Sequence, residues 1–423
     1  MKELLYNVWL SLACTPGSAT FSKLLARFIS AEEIYLADED AIAAIISSKS
    51  KDYKSLTNKN TDKAQKIIDF CESRGVGILS YFDAEFPRSL KEIKNPPVLL
   101  YYRGRLPDFQ NEFFVSIVGT RHLSDYGRRN TFKISGDLAK AGATVVSGMA
   151  LGIDGVALAA AIAEGKNTVA VIGTGIDVCY PLHHKRLARE IVKDGCVMTE
   201  YAPGTRAQKG NFPTRNRIIS ALSKATLVME GKENSGSLIT ARYAKEQGRT
   251  VYAFPGNVGN SGSEATNLLI KNGAKLLTCA DDIVRDFEKE AGGILNPFKL
   301  SEKSGTDMQS VLSELEVSCV AVDDGIFKSA RRRSQRDKDV ENKDVETAPS
   351  STATDSAELD KKILSTLGKS TFALYKKIPV DSDVSVEELV DELHGLREVM
   401  QGILALEIAS FVTVLPGDRV KRK

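Results

Sequence analysis

The sequence predicts an α/β fold built on a doubly wound, mainly parallel sheet, and three observations carry that prediction. Six short apolar runs, at 113–118, 143–147, 168–172, 196–200, 226–230 and 250–254, recur through the middle of the chain. They are rich in Val and Ile and show little alternation, as strands covered on both faces require. Helix-like stretches of roughly 10–16 residues separate them, long enough for the crossovers between parallel strands. Glycine closes most of these runs, as at Gly119, Gly148, Gly173, Gly231 and Gly256. That is the pattern of an open sheet whose strand ends let a ligand approach the backbone closely. Together they describe a Rossmann-like domain.

At 423 residues the chain is too long for one compact unit, and about 100–200 residues per domain predicts two to four. Residues 1–75 read as a helical domain. Leu4, Leu5, Val8 and Trp9 form one apolar face, Phe21, Leu24, Leu25 and Phe28 a second, and Pro16-Gly17-Ser18 breaks the chain between them. Ser18 or Thr20 can cap the second helix. Such a helix–turn–helix is either a packing unit or a helix-hairpin-helix (SAM-like) whose turn amides approach DNA phosphates. Residues 76–290 hold the Rossmann-like domain with an N-terminal extension. The segment 291–357 ends in a charged, Ser/Thr-rich run at 331–355 that reads as a disordered linker.

A last unit at 358–423 begins with Ile363, Leu364 and Leu367 on one helix. Ser385 and Glu388 have the spacing of a capping box for a second, and 396–406 supplies a third. A strand at 411–414 then enters a turn at Pro416-Gly417, so this unit is expected to be winged-helix-like. The basic end, Arg419 to Lys423, reads as a DNA-binding wing or a solvated tail.

Composition narrows the function. Lys+Arg is 57 and Asp+Glu 55, a formal charge of +2, so any nucleic-acid surface must be a local cluster. No run approaches the roughly 20 apolar residues of a membrane helix, and the first residues lack a secretory signal's pattern. Six cysteines, at 14, 71, 179, 196, 279 and 319, form no C-x-x-C pair, and four histidines add no zinc spacing. We expect reduced structural thiols in a cytoplasmic protein, with no metal and no cofactor.

The residues after each run are where ligands are held in such folds. Gly119-Thr120-Arg121 follows the first, and a glycine-rich loop at 147–155 the second. Gly173-Thr174-Gly175 follows the third, and Phe212-Pro213-Thr214-Arg215-Asn216-Arg217 lies beyond the fourth. Ser235-Gly236-Ser237 opens a helix after the fifth. Arg121, Arg215, Arg217 and Lys185 are expected to converge there on phosphate, which the arginine fork suits. Phe212, read as part of a Gly/Pro loop, is either a core or loop-anchor residue or a ring on which a base can stack.

Other chemistry is poorly supported. Neither Gly119 nor Gly173 begins a complete G-x-G-x-x-G, and no G-x-x-x-x-G-K-[ST] occurs. His183 and His184 read as exposed helix-start residues, His122 as a phosphate contact at most, and Asp154 either as a cap of its own helix or as a hydroxyl ligand. Glu200 and Glu230 end the fourth and fifth runs; they serve either as an acid–base pair or as partners of Arg215 and Arg217.

The motifs SIVGTR, SGMALGID, GTGIDVCYP, NFPTRNRIIS, SGSLITARYA and VYAFPGN, in that order over 113–280, resemble the DNA-processing protein A (DprA/Smf) family. The segment FDAEFPRSLKEIKNPPVLLYYRG at 82–104 resembles the stretch preceding the Rossmann-like domain in that family. The resemblance implies a non-catalytic, dimeric protein that binds single-stranded DNA, protects incoming strands and loads RecA recombinase in natural transformation. It carries Arg121, Phe212, Arg215 and Arg217 into the DNA pocket, with Lys185 as a weaker candidate; Gly119, Thr120, Asn216, Ser235, Gly236 and Ser237 complete the set. Thr120 stands where the family commonly has Ser. Leu158 stands where it commonly has His, which speaks against an acid–base role at that position. The competing class is a nucleotide hydrolase that resembles the phosphoribohydrolases, with Glu200 or Glu230 as its acid.

Overall fold

The computed structural model describes residues 2–233, 235–301 and 305–317, and beyond these 374–379, 384–385, 389, 399, 403, 406, 411–415 and 419–422. The linker expected at 331–355 and the helix expected from Ile363 to Leu367 lie outside the described residues.

The chain divides into two units, Met1–Gln335 and Arg336–Lys423. The first carries a nine-stranded sheet: β1 Gly77–Ser80, β2 Leu99–Gly104, β3 Phe113–Val118, β4 Ala143–Ser147, β5 Thr168–Val171, β6 Cys196–Thr199, β7 Ala225–Val228, β8 Thr250–Ala253 and β9 Lys275–Leu276. The order across the sheet is β1-β2-β6-β5-β4-β3-β7-β8-β9. All six predicted runs are strands, and every pairing from β6 to β9 is parallel. The antiparallel edge formed by β1 and β2 was not anticipated; β2 pairs β6 with Tyr101 opposite Thr199. The chain winds from β3 to β6 in one direction and reverses with β7, so β3 has β4 on one side and β7 on the other. That is the switch point at which open sheets bind ligands.

Helices cover both faces because β3 to β7 are buried on both. On one face lie α7 (Arg88–Lys91), α11 (Asn211–Leu222) and α12 (Gly236–Glu246); Ile218, Ile219 and Ala241 pack on Val118, Val146, Val171 and Val228. On the other lie α8 (Asp125–Ala141), α9 (Ile153–Ala163) and α14 (Asp281–Asp286), with Leu138, Ala157 and Ile283 against Val115, Ile117, Val145 and Leu227. Each fully buried Val, Leu or Ile contributes about 1.5–3 kcal/mol. The remaining helices of this domain are α10 (Lys185–Asp194), α13 (Glu264–Lys271) and α15 (Met308–Glu314).

Six helices precede the sheet: α1 Lys2–Ala13, α2 Thr20–Leu25, α3 Ala31–Leu36, α4 Glu39–Ala43, α5 Lys51–Thr57 and α6 Asp62–Ser73. Their core of Val8, Trp9, Leu24, Ile34, Leu56 and Ile68 is continuous with Leu99 and Tyr101 of β2 and Leu187 of α10. Ala19 stands at the N-cap position of α2, but Ser18 Oγ accepts from the first amide of the helix, Thr20 N, at 3.4 Å; Thr20 does not cap it. With Thr15 both residues also bind Asp52: Thr15 donates through N (3.2 Å) and Oγ1 (2.5 Å), Ser18 through Oγ (3.1 Å), and Thr20 through Oγ1. Those donors of the turn after α1 are committed within the protein.

The second unit contains β10 Val384–Ser385, β11 Val412–Leu415 and β12 Arg419–Arg422, antiparallel in the order β10-β12-β11. Val399, Ile403 and Leu406 are helical and pack with Leu374, Tyr375, Ile378 and Val420. Ser385, expected to cap a helix, is paired with Arg419 in this sheet. The basic end of the chain is thus a strand through Arg422, whose guanidinium lies 4.3 Å over the Tyr375 ring.

Candidate nucleic-acid interface

The loops after β3 and β7 meet at the switch point: the Thr120 amide donates to the Glu230 carbonyl at 2.8 Å. Gly119 is required there, because a Cβ would lie 2.5 Å from Ile153 Cγ1 and 2.9 Å from the Glu230 carbonyl oxygen. Above these loops opens a cavity of about 520 Å³. Gly119, Thr120, Arg121 and His122 line it from β3, Phe212, Arg215 and Asn216 from α11, and Ser235, Gly236 and Ser237 from α12. Nine of the eleven sequence-selected residues therefore share one cavity. Lys185 and Arg217 do not line it.

Phe212 is the second residue of α11, not part of a loop. Pro213 is tolerated beside it because first-turn amides have no carbonyl one turn back to bond. The Phe212 ring is half-buried; Arg121 Cζ lies 5.5 Å from its centroid and the Tyr180 ring 5.3 Å away, tilted by 39°. An aromatic ring and a guanidinium thus stand together at the mouth of an anion-favouring crevice. The first turn of α12 opens on the same cavity, capped by Ser235, whose Oγ accepts from the Ser237 amide at 3.3 Å. Helix N-termini favour anions.

Two lysines complete the rim. Lys209 and Lys232, both exposed, line the cavity beside Arg121 and Phe212. Sequence reading passed over both, since a lone lysine in a polar loop carries no pattern.

Arg215 is buried and committed to carbonyls. Its Nη1 donates to Gly148 O at 2.7 Å and to Val171 O, and its Nε to Asn216 Oδ1 at 3.1 Å. Burial pulls its pKa down to about 10, with Asp154 acting the other way, so the group is charged at neutral pH. Asp154 does not cap α9, whose N-cap is Gly152. Its Oδ2 accepts from the amides of Gly148 (3.1 Å) and Ala150 (3.4 Å). Burial raises its pKa and Arg215 opposes the rise. A Cβ at Gly148 would fall 2.5 Å from Arg215 Nη2 and 2.6 Å from Asp154 Oδ2. The glycine makes room for both side chains.

Arg217 faces away from the cavity and meets Glu200 through two hydrogen bonds, Nη1–Oε1 at 2.9 Å and Nη2–Oε2 at 2.6 Å. Burial pushes the Glu200 pKa up, against the pull of Arg217. Glu230 is not an arginine partner; its carboxylate accepts from Ser124 N at 3.0 Å and Ser124 Oγ at 3.2 Å, holding the N-cap of α8. Neither carboxylate lines the cavity. Lys185 is exposed at the start of α10. His183 is exposed as expected, but His184 is fully buried. Its Nδ1 lies 3.1 Å from Met149 O, and burial lowers its pKa to about 4. Leu158 is fully buried in α9.

These features define a class: an α/β protein with a crevice at the topological switch point lined by Arg121, Lys209 and Lys232 and by the Phe212 ring. Residues 77–288, half of the chain, match the family described as DNA recombination-mediator protein A, and the chain belongs to that family. DNA processing protein DprA of Streptococcus pneumoniae is 44% identical over 209 residues, 49% of this chain and 73% of that protein. Protein Smf of Synechocystis is 38% identical over 234 residues, 55% of this chain and 59% of that relative's length. The X-ray structure of S. pneumoniae DNA processing protein A superposes with a TM-score of 0.58 at 34% identity, covering 68% of this chain and 98% of that one.

Proposed function

We propose that this chain is a non-catalytic recombination mediator that binds single-stranded DNA, protects incoming strands and hands them to RecA recombinase during natural transformation. One arrangement carries the reading: Arg121, Lys209 and Lys232 border a 520 Å³ cavity together with the Phe212 ring. Cations that track a backbone beside a ring that stacks a base are what single strands select. Family membership favours the same reading, as do the commitments of Glu200 to Arg217 and Glu230 to Ser124, which occupy the carboxylates a nucleotide hydrolase would use.

In this proposal Arg121, Lys209 and Lys232 contact phosphate while Phe212 and Asn216 meet bases. Gly119, Thr120, Ser235, Gly236 and Ser237 shape the floor, and Arg215 and Arg217 hold α11 in place. The protein acts as a homodimer through its Rossmann-like domain in the cytoplasm, with a helical unit at 1–75 and a winged-helix-like unit at 358–423. Equilibrium binding of labelled oligo-dT, with duplex DNA and mononucleotides as competitors, tests it. Preference for the single strand is expected. Competition or turnover by a mononucleotide, without single-strand binding, overturns it in favour of a nucleotide enzyme.

A further inference from the structure

We propose that the turn after α1 is a positioning element of the cavity, and that Gly17 seats it against the first turn of α11. The inference rests on the single-strand reading above. Gly17 has φ +75°, and its carbonyl accepts from Asn95 Nδ2 at 2.9 Å. A Cβ there would stand 2.5 Å from Thr214 Cγ2 and 3.7 Å from Arg217 Nε. The backbone of the turn therefore lies directly on α11, with no room for a methyl group.

Thr214 sits between Phe212 and Arg215 on the turn that opens to the cavity. From the other side, Asn211 Nδ2 donates to Gly173 O at 3.1 Å and Tyr201 Oη to Asn211 O at 3.1 Å. The first turn of α11 is thus held between the strand-end loops and the N-terminal helices. Neither support yields easily, because the hydrogen bonds to Asp52 from Thr15, Ser18 and Thr20 fix the turn around Gly17. A side chain at position 17 must displace Thr214, and Phe212 and Arg215 move with it. The N-terminal turn then governs DNA binding through α11, without touching phosphate itself.

The test compares Gly17→Ala, Thr214→Ser and the double variant in the full chain, reading oligo-dT affinity and thermal unfolding. Thr214→Ser deletes the clashing Cγ2 and keeps the hydroxyl that donates to Gly210 O. Gly17→Ala is expected to weaken binding roughly ten-fold, Thr214→Ser to change little, and the double variant to recover most of the loss, a non-additivity expected of residues in contact. A folded Gly17→Ala with wild-type affinity overturns the proposal, and so does a double variant no better than Gly17→Ala. Should Gly17→Ala fail to fold, Asn95→Ala removes the hydrogen bond made to Gly17 itself; weakened binding is expected, and unchanged affinity overturns the clamp. Wild-type protein that does not bind oligo-dT removes the single-strand reading itself, an outcome distinct from all of these.

Discussion

Arg217 and Glu200 form a two-point ion pair inside the protein, with both side chains only 4% exposed. A guanidinium so placed spends its fork on a carboxylate and braces α11 against the end of β6. Removing one partner of such a pair leaves a buried charge, which costs about 3–5 kcal/mol. Arg217→Ala should therefore lower the urea-unfolding free energy by about that much, with any loss of DNA affinity following the loss of structure. An Arg217→Ala protein as stable as wild type would contradict this.

Arg121 is the cation placed against the Phe212 ring, so its removal should act on binding and leave stability nearly intact. Charge-assisted contacts to phosphate are worth about 1–3 kcal/mol. Arg121→Ala is expected to lose that much single-strand affinity, measured by anisotropy at fixed salt.

Phe212→Ala should cost about 1–3 kcal/mol of affinity if the ring stacks on a base, while Phe212→Tyr keeps most of it. An unchanged affinity in Phe212→Ala would leave the ring as an anchor packed on Tyr180 and nothing more.

His184 makes stability depend on pH. Burial holds its pKa at about 4, below the ordinary 6.5, so the unfolded chain binds the proton first as pH falls. Its contribution is complete above about pH 6.5 and is lost as pH drops towards 4, amounting to about 3 kcal/mol over that window. Urea midpoints at pH 7 and pH 5 should differ more for wild type than for His184→Gln.

The sequence carried the parallel strands because Val/Ile runs such as 113–118 and 143–147 leave few alternatives to burial on both faces. It did not carry β1 and β2, where Gly77–Ser80 and Leu99–Gly104 pair antiparallel at the edge and periodicity alone is ambiguous. Gly119, Arg121 and Phe212 were legible as neighbours in one cavity because glycine and arginine at a strand end and an aromatic in the next crossover have a shared chemical reason. Arg217 was legible as a functional type but not as a direction: its neighbours on α11 decide which face it takes, and that face meets Glu200. Asp154 and His184 misled for a related reason. Both looked like helix-start residues, yet the loop at 147–152 folds back to give Asp154 two amides and His184 a carbonyl. Lys209 and Lys232 acquire meaning only from what stands beside them.

The most direct test of the central claim is the salt dependence of oligo-dT binding in wild type, Arg121→Ala and Lys209→Ala. Each phosphate contact on a single strand contributes about −0.7 to the slope of log K against log salt. Wild type is expected to show a steep slope, and each variant to lose about 0.7 of it with unchanged unfolding. Slopes identical in all three proteins would mean that the phosphates lie elsewhere, and the cavity at the β3–β7 switch point would not be the DNA site.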